Sequence, residues 1–414
     1  MQWKSGINQA SQKESNLSLV IRAIHGDPQC SRVRLSEQTG LKQATITKII
    51  NQLLNWGLVS EVEYCDEGAC SVGRKPIRLT LNSENYLLMA VRINRDYLRV
   101  AIYDIMCNLC DFREVRIDVL EGVDVSMNQL KRMMHQAAQS VSKPIMGIGV
   151  ALPGPCDSRH NRITLMSGFP GWEKIDIKQT FEDEFHIPVF LDHDARCGAL
   201  AELWHGEHRF TGNLLYICCD RGVGAGLIVN GEIYRGSTGF AGEIGHTSIN
   251  LYGPICECGN HGCLELYCST GALEQEYRSA TFDILNPANE QFGLATAQEI
   301  LQLVRQGDSV AQKVYQKVTS YLAFGVVNVV NTLSPDVVIF ADKMIEGGEL
   351  FIQTVRATMK KFLLPAVYDH LIIDVATLGC KDPMLLGASV LVFEALLNQP
   401  SISFGNPQAA DEGE

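Results

Sequence analysis

The chain has 414 residues, too many for a single hydrophobic core, and a prior of about 150 residues per domain predicts two or three domains. Its hydrophobic fraction of 46% and charged fraction of 20% are those of an ordinary soluble protein. No apolar run approaches the roughly 20 residues that span a bilayer, and residues 1–15 lack the apolar core of a signal peptide. We therefore expect a cytoplasmic protein without membrane insertion.

The net charge of −12 is unevenly distributed along the chain. Residues 1–80 contain 10 Lys and Arg against 7 Asp and Glu, whereas the remainder contains 25 against 40. An acidic body with a mildly basic N-terminal segment indicates that only this segment meets nucleic acid.

The N-terminal segment has the pattern of a helix-turn-helix. Residues 1–14 are polar, and we expect them to be mobile. Leu17 opens an apolar stripe at helical spacing, which predicts a first helix. Ser31 is placed to cap a second, short helix, and a glycine-containing turn leads into a longer third helix over residues 42–56.

The third helix is the candidate for reading DNA, because the second member of a helix-turn-helix enters the major groove through its N-terminal exposed residues. Gln43 can bond a base edge, and Lys48 suits a phosphate. The candidate DNA-binding residues on this helix are Gln43, Ala44, Thr45, Thr47 and Lys48. The opposite, core-facing stripe consists of Ile46, Ile49, Ile50 and Leu53.

A β-hairpin is predicted after the third helix, with strands over residues 58–64 and 76–81. Its tip contains Arg74 and Lys75, and a basic tip beside a helix-turn-helix is a wing that can place Arg74 in the minor groove. The alternative is that both are ordinary solvated charges, but their position after a helix-turn-helix favours the wing. Residues 1–82 are therefore predicted to form a winged helix-turn-helix DNA-binding domain.

The remainder of the chain has the pattern of an α/β body. Three hairpin-linked strands after residue 86 lead into a helix and a fourth strand, which predicts a sheet with an antiparallel edge. A comparable series begins at Leu214, so we expect two similar lobes with a cleft between them. We place the lobes at residues 83–192 and 193–397, the second including a closing C-terminal helix, and expect residues 398–414 to be a disordered tail.

A metal site is predicted in the second lobe. Three cysteines lie within eight residues, Cys256, Cys258 and Cys263, and His246 precedes them after a glycine-rich run. Three thiolates and one imidazole make a closed tetrahedral zinc site, which has no open position for a reactive water. We therefore expect one structural zinc ion per chain instead of a set of buried thiols. His261 is a competing fourth ligand that the spacing alone does not exclude.

The run from Gly239 to His246, followed by the segment from Cys256 to Glu265, resembles the signature of the ROK family (repressors, open reading frames and sugar kinases). With the winged helix in front, residues 15–397 resemble the sugar-responsive repressors of that family. This resemblance implies a two-lobed, actin-like (ribonuclease H-like) sugar-kinase fold, zinc held by His246 and the three cysteines, and homodimers or homotetramers on palindromic operator DNA.

The phosphate-binding loops of the family's kinases are altered in this chain. The kinases carry an Asp-x-Gly-Gly-Thr loop, whereas residues 92–96 read Arg-Ile-Asn-Arg-Asp. The loop on the adenosine side, usually glycine-rich, reads Ala-Asp-Lys at residues 341–343, and only residues 222–226 keep the glycines that cradle phosphate. The resemblance thus implies that kinase activity is absent or vestigial.

The sugar side of the site is better preserved. Asp194 matches the general base that takes a proton from a sugar hydroxyl, and without nucleotide it could still accept that hydroxyl's hydrogen bond. Glu243, His246 and Glu265 match further sugar-binding positions, and His193 replaces an asparagine. Residues 168–172 resemble a sugar-contacting loop. Asp194 could also cap the helix that follows it.

Three functions are consistent with the sequence. The first is a repressor of carbohydrate uptake or metabolism genes, of a glucose/phosphotransferase or N-acetylglucosamine regulon, that responds to a sugar or sugar phosphate. The second is an active ATP-dependent hexose or N-acetylhexosamine kinase with an attached DNA-binding domain. The third is a scaffold that a partner releases from DNA, as in repressors of this family that are titrated by a sugar-transport protein of the phosphotransferase system.

Overall fold

The computed structural model describes residues 9–63, 77–118, 122–154, 156–157, 162–163, 171–209, 212–282, 295–380 and 382–405. In the part of the chain that it describes, no helix is both long enough and apolar enough to cross a membrane.

The N-terminal unit consists of three helices and a hairpin: α1 (Gln9–Gly26), α2 (Arg32–Thr39), α3 (Gln43–Asn55), β1 (Val59–Glu63) and β2 (Ile77–Leu81). The predicted cap of α2 is confirmed, because the Ser31 hydroxyl accepts a hydrogen bond from the Arg34 amide at 3.4 Å. Gly40 ends α2 with a left-handed φ of 69°, a conformation that costs glycine little. The turn leads into α3, which packs on α2.

The expectation that residues 1–14 are mobile was wrong for residues 9–14, which belong to α1. The Glu14 carboxylate accepts a hydrogen bond from the Ser401 amide at 2.9 Å, so the C-terminal end of the chain holds this first part of the helix. The antiparallel hairpin pairs Val59 with Leu81 and Glu63 with Ile77. Its tip, including Arg74, lies outside the described residues.

The first sheet has the strand order β5-β4-β3-β6-β9. Strands β3 and β4 and strands β4 and β5 pair antiparallel, and β6 and β9 add in parallel to β3. The elements of this part are β3 (Leu87–Ile93), β4 (Tyr97–Asp104), β5 (Leu109–Arg116), α4 (Val123–Gln139), β6 (Ile145–Leu152), the short β7 (Cys156–Asp157) and β8 (Arg162–Ile163), α5 (Ile177–Phe185) and β9 (Val189–His193).

The second sheet repeats this topology in the order β12-β11-β10-β13-β14, so the prediction of two similar lobes agrees with the structure. It opens with an antiparallel meander and continues with two parallel strands. Its strands are β10 (Leu214–Cys219), β11 (Val223–Val229), β12 (Glu232–Ile233), β13 (Val337–Ala341) and β14 (Ile372–Val375). Its helices are α7 (Glu265–Cys268), α8 (Thr270–Phe282), α9 (Ala297–Gln306), α10 (Ser309–Leu333), α11 (Glu349–Phe362) and α12 (Pro365–Tyr368).

Two helices lie between the sheets: α6 (Asp194–His205) follows β9, and α13 (Pro383–Leu396) follows β14. Helix α6 packs mainly on β10 and β11 of the second sheet, whereas α13 packs on β3 and β6 of the first. A Cβ atom on Gly387 would lie 1.7 Å from the Cys197 carbonyl oxygen, so the two helices touch through their backbones. The sequence placed α13 in the second lobe, and the boundaries at 192 and 397 stay predictions.

The expectation of a disordered tail from residue 398 was wrong for its first part, because α14 (Pro400–Gly405) is helical. Phe404 is buried and meets the Tyr86 ring edge to face, with 5.4 Å between centroids. The Ser403 hydroxyl also donates to the Leu396 carbonyl at 2.9 Å. These contacts stabilise a segment whose composition is that of a loop. Residues 406–414 lie outside the described residues.

Candidate functional site

The four predicted metal ligands converge. The ligand atoms of His246, Cys256, Cys258 and Cys263 all lie within 4.8 Å of one another, and among the described residues this is the one such group of three or more His, Cys, Asp or Glu side chains. Antiparallel bridges between Ser248 and Cys263 and between Ile255 and His261 close the loop that carries the cysteines.

The spacing of these atoms fits a tetrahedral ion. The Cys256 Sγ atom lies 3.7 Å from His246 Nδ1, and Cys258 Sγ lies 3.6 Å from Cys263 Sγ. Zinc–sulfur bonds of about 2.3 Å and zinc–nitrogen bonds of about 2.0 Å give ligand–ligand edges of roughly 3.5–3.8 Å in a tetrahedron. These two distances match edges of such a tetrahedron, so the cluster could hold a metal ion.

His261, the competing fourth ligand, is not in this group. Its Nδ1 atom lies 3.3 Å from the Gly253 carbonyl oxygen, where it can donate a hydrogen bond. The geometry thus favours His246 over His261.

The metal cluster adjoins a cleft. Glu265, the first residue of α7, places its Oε1 atom 3.3 Å from His246 Nδ1 and accepts a hydrogen bond from the Cys256 thiol at 3.1 Å. Glu265 and His246 also line a cleft of about 260 Å³ between the two sheets. One carboxylate therefore contacts both the metal loop and the cleft.

All five predicted sugar-binding residues line this cleft: His193, Asp194, Glu243, His246 and Glu265. The glycine loop at residues 222–224 forms another wall. Residues 168–172 were predicted to resemble a sugar-contacting loop. Residues 168–170 lie outside the described residues, and Trp172 is buried. Sequence reasoning did not assign cleft roles to Asn94, Arg95, Asp220, Arg221, Glu257 and Ser269, which the structure adds. Asn94 and Arg95 were recognisable only as departures from a phosphate loop.

Asp194 is the first residue of α6. The predicted capping role would require Asp194 to precede the helix. The N-cap position is His193, and its side chain makes no capping hydrogen bond. The Asp194 Oδ1 atom accepts a hydrogen bond from the adjacent Ala195 amide at 2.7 Å, and its Oδ2 atom lies 3.8 Å from Arg92 Nη2. This carboxylate therefore faces the cleft with a nearby cation.

Arg92 forms a buried ion pair that the sequence did not predict. The guanidinium donates to Asp382 Oδ1 at 2.9 Å, and Arg99 donates to Asp382 Oδ2 at 2.6 Å. Burial opposes the charge on Asp382, but the two arginines outweigh it, so the pKa of this carboxyl is held below its ordinary value. The partners are 290 residues apart, and the available signal was a charged residue in an otherwise apolar strand.

Asp342 closes the same cluster from the second sheet. Its carboxylate lies 4.0 Å from Arg92 Nη2, and burial, opposed by Arg92, raises its pKa to about 7. Its backbone has φ 70° and ψ −159°, a region that glycine occupies readily and other residues rarely do. Asp342 lies in the adenosine-side loop, residues 341–343, which is usually glycine-rich in the family's kinases.

The predicted DNA-reading side of α3 is accessible. Gln43, Ala44, Thr47 and Lys48 are exposed and Thr45 is half-buried, while the opposite stripe of Ile46, Ile49, Ile50 and Leu53 is buried. The alternation follows the helical period, since a residue reaches the same side every third or fourth position.

Comparison with known proteins agrees with this architecture. A model of the ROK family matches residues 88–395. The chain is 28% identical to the xylose repressor of Caldicellulosiruptor bescii over 395 residues, which cover 94% of this chain and 98% of the relative. It is 27% identical to the DNA-binding transcriptional dual regulator NagC of Escherichia coli over 398 residues, which cover 93% and 94%.

Solved structures show the same fold. A ROK family transcriptional regulator, described as a homologue of the E. coli MLC protein, superposes with a TM-score of 0.78 at 23% identity and covers 95% of this chain and 99% of its own. A ROK hexokinase from Thermus thermophilus superposes with a TM-score of 0.63 at 25% identity and covers 75% and 99%. The predictions of family and fold class are thus confirmed. The chain belongs to the ROK family, and over nearly its whole length it is similar to that family's sugar-responsive transcriptional repressors.

Proposed function

We propose that this protein is a transcriptional repressor that binds operator DNA through its helix-turn-helix and leaves it when a sugar occupies the cleft. The observation that carries the proposal is the presence, in one chain, of an exposed recognition helix and a carboxylate-lined cleft. The xylose repressor and NagC align with this chain over a length that includes both the helix-turn-helix and the cleft. Because the protein acts on the chromosome, we place it in the cytoplasm.

On the DNA side, α3 enters the major groove with Gln43, Ala44, Thr45, Thr47 and Lys48, and Arg74 on the hairpin reaches the minor groove. A single helix-turn-helix reads one half-site, so a homodimer, or a homotetramer of two dimers, reads a palindromic operator.

On the sugar side, Asp194, Glu243 and Glu265 accept hydrogen bonds from sugar hydroxyls, and His193 and His246 complete the pocket. The cleft lining carries five carboxylates, with Asp220 and Glu257 added, against Arg95 and Arg221. This charge favours a neutral sugar over a sugar phosphate.

For the metal we propose one structural zinc ion held by His246, Cys256, Cys258 and Cys263, since a closed set of three thiolates and one imidazole is typical of zinc. When bound, the ion fixes the loop that presents His246 and Glu265 to the cleft. Elemental analysis should find one zinc per chain. Cys258→Ser should lose the metal and lower the melting temperature, because metal binding energy is folding energy. Cys110→Ser, which alters another exposed cysteine, should do neither.

Kinase activity is the second candidate, supported by the glycine loop and the hexokinase neighbour. Against it, Arg92 places a cation where the kinases carry an acid, and its charge is engaged by Asp382. We therefore propose that the protein is not a kinase. Turnover of ATP with magnesium and a hexose or N-acetylhexosamine, abolished in Asp194→Asn, would establish the enzyme instead.

The repressor proposal is tested with full-length protein and fragmented genomic DNA of the source cell. We expect enrichment of a palindromic site that Gln43→Ala weakens, and absence of any enriched site would overturn the proposal.

A thermal-shift panel then compares xylose, glucose and N-acetylglucosamine with their phosphates. The ligand should raise the melting temperature of the wild type and not of Asp194→Asn. A shift only with phosphates would reverse the charge argument. If no sugar acts and a sugar-transport protein of the phosphotransferase system releases the DNA, partner control replaces sugar control.

A further inference from the structure

Helix α6 connects the cleft to the DNA-binding unit. Its first residue, Asp194, lines the cleft. At its other end the Trp204 ring meets the His25 ring of α1 at 4.8 Å between centroids, and the His205 ring meets it at 5.1 Å. The twelve residues of α6 therefore span the distance between the proposed sugar site and the first helix of the DNA-binding unit.

The helix is enclosed throughout, because residues 195–204 are all buried. A Cβ atom added to Gly198 of α6 would lie 2.2 Å from the Tyr216 ring. A Cβ atom added to Gly387 of α13 would lie 1.7 Å from the carbonyl oxygen of Cys197 in α6. Such contacts leave no space between α6 and its neighbours. Close-packed elements transmit a displacement instead of absorbing it. A shift at the cleft end must reach the other end.

Helix α13 runs beside α6 with the same polarity. Its N-cap residue, Asp382, binds Arg92, which lies 3.8 Å from the cleft residue Asp194. Near its other end, Glu394 Oε1 accepts hydrogen bonds from Trp204 Nε1 at 3.0 Å and from Arg22 of α1 at 3.2 Å. Thus α6 begins at the cleft, α13 begins beside it, and both end at α1.

The polar groups at this junction are poorly satisfied. Glu202 Oε1, His205 Nε2 and both ring nitrogens of His25 are buried and have no hydrogen-bond partner among the described residues. Unpaired buried polar atoms cost free energy, so at this junction packing and the Trp204–Glu394 hydrogen bond must outweigh that cost. An element held against the preference of its own polar groups is suited to two alternative positions.

We propose that α6, supported by α13, is the element that couples occupancy of the cleft to the position of the DNA-binding unit. The inference rests on the proposed function. Sugar contacts at Asp194 shift α6, and the edge-to-face contacts of the His25 ring with the Trp204 and His205 rings carry the shift to α1. Linkage requires the reverse effect, so operator binding must alter the cleft end of α6 by the same coupling free energy.

The first test uses hydrogen exchange of the full-length wild type, free and bound to the operator duplex recovered from the genomic selection. We expect DNA to change the exchange of residues 193–205 as well as that of the helix-turn-helix. Changes confined to residues 17–81 would overturn the inference. This test needs no sugar, so it stands even if the sugar half of the proposed function fails.

The second test compares two substitutions that each remove one hydrogen bond. One bond lies within the body, beside its contact with α1, and the other joins the body to the DNA-binding unit. Trp204→Phe removes the donor to Glu394, and Tyr86→Phe removes the donor to the Trp56 carbonyl, at 2.6 Å, a bond in which no residue of α6 takes part. For each we measure the ratio of operator Kd values with and without the sugar retained from the thermal-shift panel.

Couplings of this kind are typically about 5- to 150-fold. We expect Trp204→Phe to reduce the ratio at least fivefold toward 1, with the sugar Kd of DNA-free protein within twofold of the wild type. Tyr86→Phe should keep the ratio within twofold. An unchanged ratio in Trp204→Phe, or an equal loss in both variants, would contradict the role of α6. Gly387→Ala, which forces α13 away from α6, should reproduce the effect of Trp204→Phe.

Discussion

Asp382 is the residue on which two arginines depend. Its side chain is fully buried between Arg92 and Arg99, and its Oδ1 atom also caps α13 by accepting from the amides of Met384 and Leu385, each at 3.1 Å. Removing one partner of a buried pair leaves an uncompensated charge, which costs far more than losing an exposed pair.

Asp382→Asn should therefore lower the free energy of unfolding by on the order of 3–5 kcal/mol. Glu114→Gln is the matched control, because Glu114 binds the same Arg99 at 2.6 Å but has a side chain that is 40% exposed. It should cost less than about 1 kcal/mol. Denaturant unfolding measures both, and equal losses would refute the assignment of Asp382 as the anchor.

A second buried acid predicts a pH dependence. Burial raises the pKa of Glu202 from its ordinary value of 4.5 to about 7. The folded state then binds more protons than the unfolded state between these values, so the contribution of Glu202 to stability is present below pH 4.5 and is lost as the pH rises through 7.

Glu202→Gln removes the free-energy cost of ionising a buried carboxyl group. The variant should gain stability over the wild type as the pH rises from 5 to 8, by on the order of 2–3 kcal/mol at the upper end. Melting curves across this range measure the gap. The exposed neighbour Glu207 supplies the control, since Glu207→Gln should stay within about 0.5 kcal/mol of the wild type at each pH. A constant gap for Glu202→Gln would exclude its titration.

Among the elements, α14 shows how a short segment gains structure from its contacts. Six residues form too short a helix to be stable alone, so tertiary packing must hold it. Phe404 supplies that packing against Tyr86, while Ile402 on the same helix is 70% exposed.

Phe404→Ala should consequently destabilise the protein by about 3–5 kcal/mol, the usual cost of emptying a buried aromatic site. Ile402→Ala should change the stability by no more than about 0.5 kcal/mol. Thermal or denaturant unfolding compares the two, and similar values would mean that α14 is not docked through Phe404.

The same elements show what the sequence can and cannot predict. A periodic apolar stripe predicted α3 because its burial repeats locally, and the compact metal loop was predictable from spacing within eight residues. The beginning of α1 and the whole of α14 escaped prediction because each depends on the other through Glu14 and Ser401, 387 residues apart. The Arg92–Asp382 pair escaped for the same reason.

For the whole molecule, the distribution of charge limits where DNA can bind. The body after residue 80 carries 25 basic against 40 acidic residues, so it repels the duplex and leaves the phosphate contacts to the N-terminal unit.

Lys48→Ala should weaken binding to operator and to unrelated DNA alike and reduce the slope of log Kd against log salt by about 1, as expected for one lost phosphate contact. Lys360→Ala, on the exposed side of α11, should leave the slope unchanged. Binding titrations across a salt series measure both slopes. A change in the slope for Lys360→Ala would mean that the acidic body also touches DNA.

The identical strand order of the two sheets gives the body an approximate internal twofold axis. Helices α6 and α13 are the equivalent elements of the two halves, since each follows the last strand of one sheet and packs on the other. Each also has an aspartate at its start, Asp194 and Asp382. Arg92 belongs to only one half and lies 2.9 Å from Asp382 but 3.8 Å from Asp194. One arginine thus breaks the symmetry of a duplicated framework: it binds one aspartate directly and leaves its counterpart, Asp194, facing the cleft as the proposed sugar contact.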